Sequence, residues 1–264
     1  MAGRDPAELT AVLRDLLGTS GPHIGLSDRD FADRPAPPSR RGPRRREVVT
    51  YRVRVGLKGT RPPLWRRLEL ASDLFLDQVH DIIQIALGWT DSHLHGFASG
   101  PDFHAAETER YLCPFDAAEG ETGIPEGKVR LDEVLAKPDD KLLYDYDCDY
   151  DYDYGWEHVI ALETAQPRAS GVPLAACTGG RRSGPAEDCG GVYGYEVIEA
   201  AVNADGRDEA GAAADFAAMF GADVDITALA GTPFDIDEIN AALTAWSAGG
   251  RGAKPDLPVP GLRR

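Results

Sequence analysis

No apolar run in this 264-residue chain approaches the roughly 20 residues that a bilayer-spanning helix needs, so no contact with a membrane is expected. The first residues, MAGRDPAELT, also lack the apolar core of a secretory signal, and a cytoplasmic location is the expectation. Basic charge is scarce. Against 44 Asp and Glu stand 28 Lys and Arg, and the net charge of -16 opposes general attraction to phosphate backbones. Cysteine is scarce too: Cys113, Cys148, Cys177 and Cys189 form no C-x-x-C pair, so reduced thiols rather than a disulfide framework are expected. There is no Walker motif, no G-x-G-x-x-G after a strand, no G-x-S-x-G elbow and no H-E-x-x-H helix, so nucleotide hydrolysis and serine hydrolase chemistry lose their usual sequence support. No repeat of fixed period occurs.

What the chain has instead is a ribbon. Residues 144–154 alternate rings and carboxylates, and because successive side chains of a strand point to opposite faces, Tyr144, Tyr146, Cys148, Tyr150, Tyr152 and Tyr154 share one side. Asp145, Asp147, Asp149, Asp151 and Asp153 share the other. Same-face carboxylates two residues apart lie about 6.7 Å from each other. The aromatic side can pack, whereas the acidic side is expected to stay at a surface or a site.

With 42% hydrophobic residues the chain can bury one sizeable core. Residues 1–46 divide into a helix over 7–17 and a Pro/Arg-rich linker whose Arg40, Arg41, Arg44, Arg45 and Arg46 form the one dense basic cluster. That cluster reads as a solvated tether, and it is the one place where nucleic acid could be touched. Residues 47–247 form the main domain, and 248–264 read as a disordered tail. Within the domain, EVVTYRVRVGL and LWRRLEL alternate as a hairpin. Leu76, Val79, Ile82, Ile83, Ala86 and Leu87 then recur at helical spacing, and Gly88 ends that helix. Residues 93–99 are a third strand, 100–127 an irregular loop and 129–136 a short strand with a turn of helix. The ribbon and WEHVIALE form two strand stretches, and the Gly/Pro-rich residues 165–191 form a long excursion. Helical patterns over 195–202, 209–220 and 237–246 follow, with Asp235 and Asp237 as N-cap candidates. The fold class is α+β: a mixed, largely antiparallel sheet with flanking helices and a helical C-terminal third.

His93 and His95 fall on one side of a predicted strand, a spacing from which two imidazoles can converge on one divalent ion. His158 shares its strand face with Trp156 and Ile160 and reads as a half-buried histidine tied to a carbonyl. His80, beside the apolar stripe of its helix, reads as a core-edge residue. Glu187 and Asp188, before Cys189-Gly190-Gly191, place two carboxylates and a thiol in a turn where backbone N–H groups can approach a ligand. A zinc site from Cys177, Cys189 and histidines matches no standard spacing. A calcium loop begun at Asp149, Asp151 and Asp153 fails, because Tyr154 stands where glycine is needed and Ile160 where the bidentate Glu belongs.

Leu64-Trp65-Arg66-Arg67, the helix with His80 and Gln84, Gly88-Trp89, His93-Leu94-His95 with Phe97, the ribbon closing on Trp156-x-His158, and Pro185-Ala186-Glu187-Asp188-Cys189-Gly190-Gly191 with Gly194-Tyr195 together resemble the plasmid pRiA4b ORF-3-like family over about Val48 to Asn240. The resemblance implies a member of a small bacterial and archaeal family, often encoded near mobile elements and labelled TnpR resolvase-like, and it implies no particular reaction. Two positions depart from the pattern. The family's Tyr-Asp-Phe-Gly-Asp before Trp-x-His is here Tyr150-Asp151-Tyr152-Asp153-Tyr154-Gly155, and its Pro-Pro-Glu-Asp is Pro185-Ala186-Glu187-Asp188. A serine recombinase needs a nucleophilic serine in an arginine-rich pocket and a basic tail, and neither is present.

Together these readings predict a polar pocket drawing on His93, His95, His158, Glu187 and Asp188, in a cytoplasmic module that binds a small ligand or a divalent metal. Metal would fall to His93 and His95, and ligand contact to Trp89, Trp156, His158, Asp151 and Asp153. In an enzyme, Glu187 or Asp188 would activate water for metal-assisted hydrolysis. A third alternative is a mobile-element accessory protein in which Arg40 to Arg46 touches DNA.

Overall fold

The computed structural model describes residues 38–147, 155–204 and 209–249. The predicted helix over 7–17, the tail beyond 249, and Cys148 to Tyr154 of the ribbon, with Asp151 and Asp153, lie outside the described residues.

Strand β1 (Val49–Leu57) and β2 (Trp65–Ala71) form the expected hairpin, in antiparallel register from Gly56 opposite Trp65 to Thr50 opposite Ala71. Their alternation puts Tyr51, Val53, Val55, Leu57, Leu68 and Leu70 inside, each nearly or wholly excluded from water. Helix α1 (Leu76–Leu87) covers this face with the predicted stripe, and Gly88 at φ 79° closes it in the left-handed conformation that glycine adopts without a Cβ clash. Each fully buried Leu, Ile or Val there contributes about 1.5–3 kcal/mol of transfer free energy.

The remaining elements are β3 (His95–Ser99), β4 (Glu109–Leu112), α2 (Pro114–Glu119), β5 (Ile124–Pro125), a 3-10 turn (Glu126–Lys128), α3 (Leu131–Val134), β6 (Lys141–Tyr146), β7 (Trp156–Pro167), β8 (Ala175–Arg181), α4 (Gly191–Val202), α5 (Glu209–Phe220), α6 (Ile226–Leu229) and α7 (Ile236–Ala248). The strands form one sheet in the order β5-β4-β3-β6-β7-β1-β2-β8. Every neighbouring pair is antiparallel except β4 with β5, so the α+β class with a mixed, mostly antiparallel sheet holds. Asp235 caps α7 by accepting from the N–H groups of Asp237 and Glu238. The Asn240 side chain pairs with both the N–H and the carbonyl of Cys177, which ties α7 to the edge strand β8.

Four expectations are corrected. The irregular loop over 100–127 contains β4, α2, β5 and the 3-10 turn, because pairing of β4 with β3 and of β5 with β4 organises short segments that carry little pattern of their own. The excursion over 165–191 contains β8, whose alternation is masked by Gly179 and Gly180. Asp145 on the acidic side of the ribbon is 6% exposed rather than solvated; burial first, and Glu157 opposite, push its carboxyl up to about 7. The basic segment is no free tether where it is described: Arg40, Arg41, Arg44 and Arg45 bond Glu107, Glu109, Glu133, Asp132, Tyr51 and Ala136 of the same chain.

A cavity floored by two stacked histidines

The helix α1, the turn after it, β3, and the 3-10 turn converge at one end of the sheet around a cavity of about 600 Å³. Its floor is made by His80 and His95. Their rings stack with centroids 3.4 Å apart and planes 9° from parallel, and both residues are buried.

Each ring is fixed from outside the pair. His80 Nδ1 lies 2.9 Å from the Tyr144 hydroxyl, and that hydroxyl accepts from Gln84 Nε2 at 3.0 Å. His80 Nε2 lies 2.9 Å from Asp91 Oδ1. Asp91 sits at φ 58°, a left-handed conformation that Asp tolerates, and its N–H donates to Gln84 Oε1 at 3.0 Å. His95 Nε2 meets both oxygens of Glu126 at 3.0 Å, and burial raises the Glu126 carboxyl above its ordinary range although His95 opposes this. One donor atom each from His80, Asp91 and His95 fall within 4.8 Å of one another.

His93 occupies a different place. Strand β3 begins at His95, so the two histidines do not share a strand face as predicted. His93 Nδ1 lies 3.1 Å from Asp147 Oδ1 and Nε2 lies 3.0 Å from Asp188 Oδ1, while the ring edge rests on Tyr146. It lines the rim of the cavity.

Glu187 anchors that rim. It accepts from Thr90 N–H at 3.1 Å, Thr90 Oγ1 at 2.7 Å, Ser92 Oγ at 3.0 Å and the Tyr146 hydroxyl. Burial alone would raise its carboxyl, but these donors outweigh it and hold the group below the ordinary carboxylate range. Asp188 beside it is exposed. Neither residue is among those lining the cavity.

Beneath the floor lies an aromatic layer. Trp89 stacks on Tyr146 at 4.7 Å and meets His158 edge-on at 5.5 Å, and its indole N–H donates to Pro185 O at 2.8 Å. His158 is not half-buried as expected but 1% exposed. Burial pushes it down to about 4, and the backbone groups of Trp156 and Tyr144 offset this only in part, since neither ring nitrogen finds a well-directed partner among the described residues. Trp156 Nε1 is likewise buried without one. Trp89, Trp156 and His158 therefore pack under the site rather than line it.

Sequence reasoning passed over His80, Asp91 and Glu126. The available signal was polar: Gln78, His80 and Gln84 fall among the apolar residues on the buried side of the helix.

Residues 49–242 match the family described as plasmid pRiA4b ORF-3-like protein. The chain is similar to the uncharacterized protein y4hQ of Sinorhizobium fredii (strain NBRC 101917 / NGR234), with 31% identity covering 55% of this chain and 69% of that protein. It is also similar to the crystal structure of the protein of unknown function MM3350 from Methanosarcina mazei Go1, with a TM-score of 0.53 and 26% identity over 73% of this chain and 98% of that one.

Proposed function

The chain belongs to the plasmid pRiA4b ORF-3-like family, and on that footing we propose that it is a binding module for a divalent transition metal, held by His80, Asp91 and His95. The observation that carries this reading is the convergence of three donors from α1, the following turn and β3 within 4.8 Å. Support also comes from behind the donors: Tyr144 orients His80 and Glu126 orients His95, the kind of outer partner that fixes metal-binding imidazoles. Two imidazoles and one carboxylate suit zinc, cobalt or manganese better than calcium, which prefers six or more oxygens. The histidines must be neutral to ligate, so affinity should fall in acid.

The direct test is equilibrium dialysis against Zn²⁺ or Co²⁺ with elemental analysis. One ion per chain is expected, lost in Asp91→Asn, whose half-exposed position makes misfolding a small risk. Absence of stoichiometric metal in the wild-type chain would end the reading.

Metal-assisted hydrolysis is a second reading, favoured by one observation. Three protein donors leave a coordination position open, as catalytic rather than structural zinc sites do. Glu187 is a poor base because its oxygens are taken by Tyr146, Thr90 and Ser92. Glu126, unlike Glu187, lines the cavity, and burial raises its carboxyl, so a water that displaced its contact with His95 would find in it the better proton acceptor. Metal-dependent turnover of p-nitrophenyl acetate that is lost in Glu126→Gln tests it.

A further inference from the structure

Asp91 is the one proposed metal donor that lies outside regular structure. His80 belongs to a helix and His95 to a strand, whereas Asp91 sits in the turn between α1 and β3 at φ 58°. A residue other than glycine keeps that left-handed conformation where its surroundings impose it. One restraint is Gln84, whose Oε1 accepts the Asp91 N–H at 3.0 Å.

A second restraint comes from the segment between β8 and α4. Glu187 Oε2 accepts from both the N–H and the hydroxyl of Thr90, at 3.1 and 2.7 Å, and Glu187 Oε1 accepts from the Ser92 hydroxyl at 3.0 Å. Thr90 and Ser92 are the residues before and after Asp91, so one carboxylate grips the chain on each side of the donor. The Tyr146 hydroxyl donates to the same Oε1 and accepts the Ser92 N–H at 2.9 Å, which ties this clamp to β6. The segment that carries Glu187 is itself set against the end of α1. A Cβ at Gly184 would stand 1.9 Å from Leu87 O, and Pro185 O accepts the Trp89 indole N–H at 2.8 Å.

We propose that Glu187 is a positioning residue: by bonding Thr90 and Ser92 it sets the backbone at Asp91 and so aims the Asp91 carboxylate at His80 Nε2 and at the metal. The proposal rests on the metal reading for what Asp91 holds, and on hydrogen bonds alone for how Asp91 is held. A carboxylate suits the task because each oxygen meets donors. An amide of the same shape turns an NH₂ toward one set of donors and releases either Thr90 or Ser92.

The test compares Glu187→Gln with Asp188→Asn in the full chain. Each removes one negative charge, from neighbouring residues, but Asp188 meets the His93 ring and not the turn. The readouts are cobalt titration followed by ligand-field absorption, and crystal structures of the metal-free variants. Glu187→Gln should bind Co²⁺ about tenfold more weakly, with a shifted absorption spectrum, as loss of an outer partner does. Asp188→Asn should match the wild type. In the metal-free Glu187→Gln crystals Asp91 should leave the left-handed conformation and its carboxylate should move off His80 Nε2, with α1 and β3 in place. These readouts concern the folded chain, so a plain loss of stability moves neither. Wild-type affinity and spectrum in Glu187→Gln, an equal loss in Asp188→Asn, or an unmoved Asp91 would overturn the proposal. A wild-type chain that takes up no cobalt, with Asp91 displaced in Glu187→Gln, would support the positioning role and count against the metal centre alone.

Discussion

His93 and His95 are two residues apart and live in different chemistry. His95 starts a central strand, is buried, stacks on His80 and takes both oxygens of a buried glutamate. His93 precedes the strand, is partly exposed and sits between two aspartates from loops. The floor is built by burial, which fixes each ring through several partners from separate elements. The rim is built by hydrogen bonds onto one carboxylate, Glu187, which gathers Thr90, Ser92 and Tyr146. Closeness in sequence therefore does not make a shared site; the register at which a strand begins decides which side chain turns inward.

The sharpest divide concerns pH. His158 under the floor has a folded value near 4 against about 6.5 when unfolded, so between these values the unfolded chain binds the proton that the folded chain refuses. Stability from this group is full above pH 6.5 and falls by about 3 kcal/mol as pH drops to 4. Asp145 works in the opposite direction, since its raised folded value near 7 favours folding in acid. The stability difference between wild type and His158→Leu isolates the histidine, and it should shrink in acid by that amount in urea titrations. A difference that does not vary with pH would mean the floor is not dry.

Next comes the support of His95. Glu126→Gln removes the charge that orients the ring, and metal affinity should fall about tenfold to a hundredfold, as read by competition with a chromophoric chelator. A smaller loss would move the floor's organisation from Glu126 to packing alone.

The rim should respond more weakly. Glu187→Gln keeps the shape but weakens charge-assisted bonds, and should cost about 1–2 kcal/mol at pH 7. Because the folded value of Glu187 is lowered, this stabilisation is present above the unfolded value near 4.3 and is lost as pH falls through the folded one. Wild type and Glu187→Gln should thus converge in stability in acid, and divergence there would contradict the assigned role. The smallest effect belongs to His93→Ala, for which metal affinity should change by less than about threefold.

Much of the frame was legible because period alone specifies it. The β1–β2 alternation and the α1 stripe each repeat often enough to identify a face. Strands β4 and β5 were not legible, being four and two residues long, too short to show a period. Of the five residues expected to share one pocket, His93 and His95 line the cavity, whereas His158, Glu187 and Asp188 do not. Helical spacing places His80 at the core edge, because it shows that a residue faces inward and not that a cavity lies there. Asp91 and Glu126 depended on a turn after Gly88 and on a stretch read as loop, and only tertiary structure brings them to the two histidines.

The central claim is that metal ligation follows the buried pair and not the sequence pair. Cobalt titration of wild type, His80→Asn and His93→Asn, followed by the visible ligand-field absorption, tests it most directly. The account predicts one equivalent of Co²⁺ with near-identical spectra for wild type and His93→Asn, and at least a hundredfold weaker binding for His80→Asn. Equal losses in both variants, or a His93→Asn chain that alone fails to bind, would contradict it.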